Sequence, residues 1–288
     1  IADLEAILDK TAGWPPEALS NRPEVVSFIM AQKRAVTTLR SSLASSRESS
    51  ARANYYRLTS GESGILAAIR SFDLASATLR ASNLHQELEG FKIQPRAAQL
   101  LASVQAAESY WNGITSAAAA GKLTITTELD GKLVDVKVQS FDPKTGLQID
   151  HATTPNIPLQ SLLSSGLSNV FTDTSAGTDQ NRLAFLGLHA LAEHMSAAKG
   201  YMSTLDPENP DSGDQRYTKS MTDLNYVVPA IRKIDTDWQK FLSREIKASQ
   251  QLARGLRAFS MTQYTRSHAY LEDLRNTYED TLILQVTR

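Results

Sequence analysis

Apolar residues recur at helical spacing along most of this 288-residue chain. Separate series begin at Val25, Ile65, Ala97, Ile231 and Leu271. Because residues three, four and seven positions apart share one face of an α-helix, each series predicts an amphipathic helix. Breaks that contain Gly or Pro separate the first three series, and such short connections favour an antiparallel bundle.

The stretch 122–159 departs from this pattern, because its apolar residues alternate with polar ones as in β-strands. The pair Asp130-Gly131 is typical of a two-residue hairpin turn, since a type I′ turn needs positive φ at both central residues. A second turn, at 142–146, contains Pro and Gly. We therefore expect three to four short antiparallel strands, in a small curled sheet or an SH3-like barrel.

The predicted fold class is mainly α: an antiparallel helical bundle interrupted by one small antiparallel β module. The expected segments are 1–121 as an N-terminal helical bundle segment, 122–159 as the β module, 160–205 as a helical segment, 206–214 as an acidic linker or loop with two prolines, and 215–288 as long helices that pack on the N-terminal bundle.

Composition excludes several classes of protein. Hydrophobic residues at 41% and charged residues at 21% are ordinary for a soluble globular chain, and a net charge of −1 argues against a general polyanion binder. The absence of Cys removes disulfides, thiol catalysis and Cys-ligated zinc. No run approaches about 18 apolar residues, so no transmembrane helix is expected. A bacterial cytoplasm or periplasm is the expected location, with the choice between them open.

Two pairs of side chains have metal-ligand character. His189 and Glu193 are four residues apart, so they share a helix face and could reach one metal ion, whereas His194 points elsewhere. His85 and Glu89 repeat the same spacing on another predicted helix, and two such helices could hold a metal in a bundle core. Since the HExxH and ExxH patterns are absent, we favour hydrogen-bonded pairs on helix surfaces, and we predict no metal and no other cofactor.

Other reactive motifs are incomplete. The string at 187–194, GLHALAEH, resembles the GxHxxE string of imelysin-type helical proteins, but its acid stands one position later and no role is carried over. The sequence contains no GxSxG, GxxxxGK[ST] or GxGxxG string. No catalytic residue is therefore predicted, and a non-enzyme is favoured over an enzyme.

A basic face is predicted between residues 232 and 266, where eight Lys or Arg residues stand against three acids, one of which is Glu245. Such a helix could bind nucleic-acid phosphate or an anionic membrane, although a solvated helix face is the favoured interpretation. We expect the nearby aromatics Trp238, Phe241 and Phe259 to be core residues. The candidate binding residues are Arg232, Lys233, Lys240, Arg244, Lys247, Arg254 and Arg257.

Together these patterns favour a non-catalytic scaffold or protein–protein interaction protein, which presents amphipathic helices and the β module to another protein or to a second copy. Three alternatives remain. One is an extracytoplasmic bacterial sensor or ligand-binding bundle with a small molecule between its helices. Another is a metal-dependent helical-bundle enzyme that uses His189 and Glu193. The third is a nucleic-acid or anionic-membrane binder that uses 232–266 and weakens with salt.

Overall fold

The computed structural model describes residues 6, 10, 22–129, 131–142, 146–151, 154–157, 179–205, 208, 215–232 and 236–286. Its α-helices are α1 (Pro23–Ser60), α2 (Ile65–Arg70), α3 (Leu74–Glu87), α4 (Gln94–Ala119), α5 (Asp179–Thr204), α6 (Gln215–Ile231), α7 (Asp237–Ser260) and α8 (Tyr264–Thr277). A 3-10 turn follows at Ile283–Val286. The strands are β1 (Thr124–Leu129), β2 (Lys132–Asp142), β3 (Gly146–Ile149) and β4 (Asn156–Ile157). The predicted mainly α fold with one small antiparallel β module is confirmed.

The chain forms two compact units. The first contains residues 1–54 and 91–93, and the second contains residues 55–90 and 94–288. The five segments expected from the sequence stay a prediction, because residues 158–178 and most of the expected linker lie outside the described residues. In the described parts of the chain, no helix is long and apolar enough to cross a membrane.

The β module is a four-stranded antiparallel meander in the order β1-β2-β3-β4. Gly131, between β1 and β2, has a φ of 75°, which a residue without a Cβ adopts at no steric cost. The register of β2 against β3 shifts between Val138 and Ser140, as at a β-bulge. Helix α4 packs against β2, so the module is attached to the second unit's helices. Its buried apolar residues are Leu123, Ile125, Leu129, Val138, Leu147, Ile149 and Ile157.

The helices of the second unit bury their apolar faces against one another. Helix α4 packs against α3, α5 and α7, while α5 also packs against α2 and α6, and α6 packs against α7. Gly187 of α5 allows a close approach of these helices, because a Cβ there would lie 3.0 Å from Ile231 Cδ1 and 3.0 Å from Leu242 Cδ1. The absence of a side chain at this position lets α5, α6 and α7 meet in one core.

The sequence series that begins at Ile65 does not form one helix, because it is broken at Phe72, whose φ is 60°. The Phe72 amide donates to the Ile69 carbonyl at 3.0 Å, and the Asp73 amide donates to the Ala68 carbonyl at 2.9 Å. This is the Schellman arrangement that ends helices, with Phe in the position that Gly usually takes. The Asp73 side chain then accepts from the Ser76 amide at 3.1 Å and caps α3.

The part of α1 in the first unit is largely open to solvent. The series that begins at Val25 was expected to face a core, but Val36 is its buried member, and Leu39 and Leu43 are each 52% exposed. All residues of 37–47 are exposed. The apolar side of this helix is therefore covered at Val36 and open at Leu39 and Leu43.

Candidate functional site

Glu245 of α7 is a carboxylate inside the core of the second unit. Its side chain is fully buried, and its oxygens accept hydrogen bonds from the Leu282 amide at 2.9 and 3.1 Å. Burial raises the pKa of Glu245 to about 7, although Arg96 and the backbone hydrogen bonds from Leu282 and Ile283 act in the opposite direction. A proton can therefore be bound or lost at this carboxylate near neutral pH.

Arg96 of α4 and Arg244 of α7 supply the positive charge around Glu245. Arg96 Nη2 lies 3.8 Å from Glu245 Oε1 and 3.2 Å from Asp280 Oδ2. Arg244 Nε donates to both Asp280 oxygens at 2.8 and 3.0 Å, and its Nη2 donates to the Thr277 carbonyl at 2.7 Å. Burial raises the pKa of Asp280, but the hydrogen bond from Arg244 and the two guanidinium charges outweigh burial and lower it. These contacts attach the segment after α8 to α4 and α7.

Two adjacent tyrosines at the end of α1 contact the same region differently. The Tyr56 hydroxyl donates to the Glu279 carbonyl at 3.0 Å. The Tyr55 hydroxyl is buried and has no hydrogen-bond partner among the described groups, and burial together with the charge of Glu245 raises the pKa of Tyr55. We call Tyr55, Arg96, Arg244, Glu245 and Asp280 the Glu245 cluster. Because Glu245 is fully buried and hydrogen-bonded, and Asp280 is paired with Arg96 and Arg244, the cluster can fasten a chain segment.

His189 lies in an aromatic environment. Its ring centroid is 4.5 Å from that of Phe72 and 4.6 Å from that of Phe185, and neither ring nitrogen has a hydrogen-bond partner in the described part of the chain. Burial lowers the pKa of His189 to about 3, so the ring is neutral at physiological pH. We call the rings of Phe72, Phe185 and His189 the aromatic cluster of the second unit.

Glu193 does not join His189 in this cluster. Its Oε1 accepts from Arg70 Nε at 3.1 Å, and its Oε2 accepts from Arg216 Nη2 at 3.5 Å, at a half-exposed position. The described residues include no group of three or more His, Asp or Glu side chains that could hold a metal ion. The metal-dependent enzyme stays a prediction that these contacts do not support.

His194 and His85 lie in different surroundings. His194 Nδ1 is 3.0 Å from Ser220 Oγ, its ring packs on Tyr217 of α6, and burial lowers the pKa of His194 to about 4. His85 is half-buried, and its Nδ1 has no hydrogen-bond partner among the described residues. Glu89 is exposed, just beyond the end of α3.

The predicted basic face is partly exposed and partly occupied. Lys240, Lys247 and Arg254 are exposed at seven-residue intervals on α7, and Arg232 and Arg257 are exposed as well. Arg244 is held by Asp280, and Lys233 lies outside the described residues. Trp238 and Phe241 are buried in the core as expected, whereas Phe259 is only half-buried. Binding of nucleic acid or membrane by this face stays a prediction.

A second kind of site lies on α1. With about 100° per residue, Phe28, Leu39 and Leu43 fall within about 60° of the helix circumference. Phe28 is 64% exposed, so this apolar stripe is more open than a core-facing one. We call it the α1 stripe. It is bordered on one side by Lys33, Arg40 and Arg47, and on the other side by Ala35, Ser42 and Ser49, all of them exposed.

The sequence contained a signal for Glu245 that simple charge counting missed. Charge counting places Glu245 beside the basic face, but its spacing places it on the apolar side of α7, in the series Trp238, Leu242, Glu245, Ser249, Leu252 and Leu256. A carboxylate at a position expected to be buried indicates a paired or protonated group. The partners Arg96 and Asp280 could not be deduced from this pattern, because they come from distant elements.

Comparison of the chain with protein-family models, with curated proteins and with solved structures gives no match. The function is therefore inferred from the residues and contacts described above.

Proposed function

We propose that this chain is a non-catalytic interaction protein that binds another protein through the α1 stripe. The observation that carries the proposal is the uninterrupted exposure of residues 37–47, which include Leu39 and Leu43. Most helical stability in proteins comes from packing an amphipathic face against another surface. A partner that covers this side would supply the missing packing.

The composition of α1 makes this argument stronger. Residues 41–50 contain six serines, and Ser is a weaker helix former than Ala, Leu or Lys. The helix is thus not maintained by intrinsic propensity over this stretch. Covering the exposed part of Phe28, Leu39 and Leu43 would contribute roughly 1 kcal/mol for each side chain, or about a hundredfold in affinity for the three together.

The buried ionisable groups support a non-catalytic role. Glu245 is engaged by the Leu282 amide, and His189 is enclosed by aromatic rings. Both groups are fixed within the core, and neither is placed at the surface where a substrate would meet it. The exposed α1 stripe is the feature that most clearly needs a second molecule.

The test compares two exposed leucines of the same chain. Leu39 lies in the α1 stripe, whereas Leu79 of α3 is 63% exposed outside it. A photoreactive amino acid at position 39 should give a discrete crosslinked adduct in cells of the source organism, and the same group at position 79 should not. Leu39→Glu should abolish association while Leu79→Glu retains it, with unchanged circular dichroism in both variants. A chain that gives no adduct at position 39 and behaves only as a lone monomer contradicts the proposal.

A further inference from the structure

We infer that the α1 stripe binds an amphipathic helix that carries carboxylates along one edge. The inference rests on the proposed function and adds the chemistry of the partner. One row of positions on α1 recurs at alternating spacings of four and three, which is the spacing of the seam between two helices of a coiled coil. The row consists of Val25, Ile29, Gln32, Val36, Leu39 and Leu43.

All but one member of this row are apolar, and the exception is Gln32. A single polar residue in a coiled-coil seam is tolerated and favours one register of the two helices. Leu39 and Leu43 are the exposed apolar part of the row, beyond the buried Val36. The partner is therefore seated over the second half of the row, where the seam positions are apolar without interruption.

The two borders of the stripe differ in chemistry. Lys33, Arg40 and Arg47 repeat every seven residues on one side, and they occupy the flanking positions that face a partner helix in a coiled coil. The opposite border consists of Ala35, Ser42 and Ser49 and carries no charge. Small side chains on that border permit close approach, and the basic border selects a partner edge with Asp or Glu.

The charge of α1 argues against a second copy of this chain as the occupant. Residues 25–47 contain four basic residues and no Asp or Glu. Two copies of this segment would bring like charges together, and like-charge pairs across a helix interface are unfavourable. An acidic helix instead places carboxylates opposite this basic border while its apolar residues cover Leu39 and Leu43.

The width of the stripe argues against a lipid surface. The side chains of the α1 stripe span about 60° of the helix circumference, which fits a narrow coiled-coil seam better than the broad apolar side of an interfacial helix. Arg34 lies on the side opposite Leu43, and Met30 is exposed away from the stripe at 56%. Charged and apolar groups are therefore not segregated as they are in a helix that lies in a membrane interface.

The experiment uses the full chain and two synthetic peptides of three heptads each. Both peptides have Ile and Leu at the seam positions; one has Glu at both flanking positions, and the other has Lys there. Fluorescence anisotropy of the labelled peptides should show binding of the acidic peptide at least about tenfold tighter than of the basic one, with an affinity that falls as salt is raised.

The chain offers a matched pair of charge-reversal variants. The double variant Lys33→Glu with Arg40→Glu should bind the acidic peptide about tenfold or more weakly than the unchanged chain does, and it should bind the basic peptide more tightly. Lys247→Glu with Arg254→Glu changes the same residue types at the same spacing on α7, and it should leave both affinities unchanged. Circular dichroism and thermal unfolding verify that each variant is folded.

Four results would overturn the inference: equal binding of both peptides, binding of neither, a salt-sensitive dimer of the chain in sedimentation, or tighter binding to vesicles that contain phosphatidylserine than to the acidic peptide. If both peptides bind equally or neither binds, the proposed function is still supported as long as a photoreactive group at position 39 crosslinks to another protein. Loss of the Leu39 adduct itself would instead remove the proposed function, so the two failures are distinguishable.

Discussion

Glu245 and His189 are two fully buried ionisable side chains of the second unit, and they differ in what surrounds them. Glu245 accepts backbone hydrogen bonds and lies 3.8 Å from Arg96, whereas His189 contacts the rings of Phe72 and Phe185, and its nitrogens have no partner among the described groups. Burial favours the neutral form of both, but the partners of Glu245 keep its pKa near 7 while that of His189 falls to about 3. The charge of Arg96 and the backbone hydrogen bonds thus keep Glu245 able to change its charge near neutral pH, whereas His189 has no such partners among the described groups.

The two groups affect stability in opposite directions as pH changes. The pKa of Glu245 is raised from 4.5 to about 7, so its contribution is fully present below the unfolded value and is lost as pH rises through the folded one. The pKa of His189 is lowered from 6.5 to about 3, so its contribution is present above 6.5 and is lost as pH falls towards 3. His194, with a pKa of about 4, acts in the same direction as His189. From these groups we expect maximal stability at a slightly acidic to neutral pH.

Removal of Arg96 should have the largest effect, because it leaves the buried carboxylate without its cation. We expect Arg96→Met to lower the free energy of unfolding by about 3–5 kcal/mol near pH 8, where Glu245 is mostly ionised. Near pH 5.5 the carboxyl is protonated and Asp280 keeps Arg244, so the loss should fall to roughly 1–2 kcal/mol. Urea unfolding at the two pH values measures the difference.

Arg70→Met is the matched control for that substitution. It breaks the half-exposed pair with Glu193, and exposed pairs contribute only about 0–1 kcal/mol. In a Glu245→Gln background, Arg96→Met should cost about the same at both pH values. An equal loss near pH 8 and pH 5.5 in the otherwise unchanged chain would show that Glu245 is not the group that Arg96 stabilises.

The opposed pH dependences can be separated by two single substitutions. His189→Leu should remove an acid-side loss of roughly 3 kcal/mol between pH 6.5 and 4.5, since one shifted group changes stability by about 1.4 kcal/mol per pH unit. Glu245→Gln should remove the decline on the neutral side, which amounts to roughly 3 kcal/mol at most. Chemical unfolding across this pH range gives both slopes.

Leu191→Met serves as the control for this pair, because it changes an uncharged buried side chain on the same helix as His189. It should change the free energy of unfolding by the same amount at every pH and leave the shape of the pH dependence unchanged. If His189→Leu instead destabilised the chain at neutral pH and left the acid slope intact, the imidazole would be making a contact that its aromatic surroundings do not indicate.

The smallest expected effect distinguishes the adjacent tyrosines beside the Glu245 cluster. Tyr56→Phe removes a hydrogen bond to the Glu279 carbonyl and should cost about 1 kcal/mol. Tyr55→Phe removes a buried hydroxyl without a described partner, so stability should be unchanged or higher by up to about 1 kcal/mol. Thermal unfolding of the two variants under identical conditions shows which one loses more stability. A larger loss for Tyr55→Phe than for Tyr56→Phe would contradict the prediction.

The sequence predicted local structure better than the placement of charge. Periodicity located the helices and the β module, and Asp130-Gly131 correctly marked the first hairpin. The break at Phe72 was missed, because a bulky residue with positive φ is held by tertiary packing and not by local preference. His189 and Glu193 shared a helix in the sequence, but Arg70 and Arg216 from other elements determine where the carboxylate lies. Such partners are set by packing between distant segments, which a single sequence does not contain.

The fastening of the segment after α8 has a consequence for how the chain folds during synthesis. The carbonyl that accepts from Tyr56 belongs to a residue made 223 positions later, and the amide that Glu245 requires is made 37 positions after it. Until the ribosome has released that segment, Glu245 has neither of its backbone donors, and the apolar side of α7 lacks its contacts with the 3-10 turn at Ile283–Val286. Native contacts of such long sequence separation slow folding, because loop-closure entropy must be overcome before they form. We therefore expect the second unit to complete its core only after the segment that follows α8 has left the ribosome.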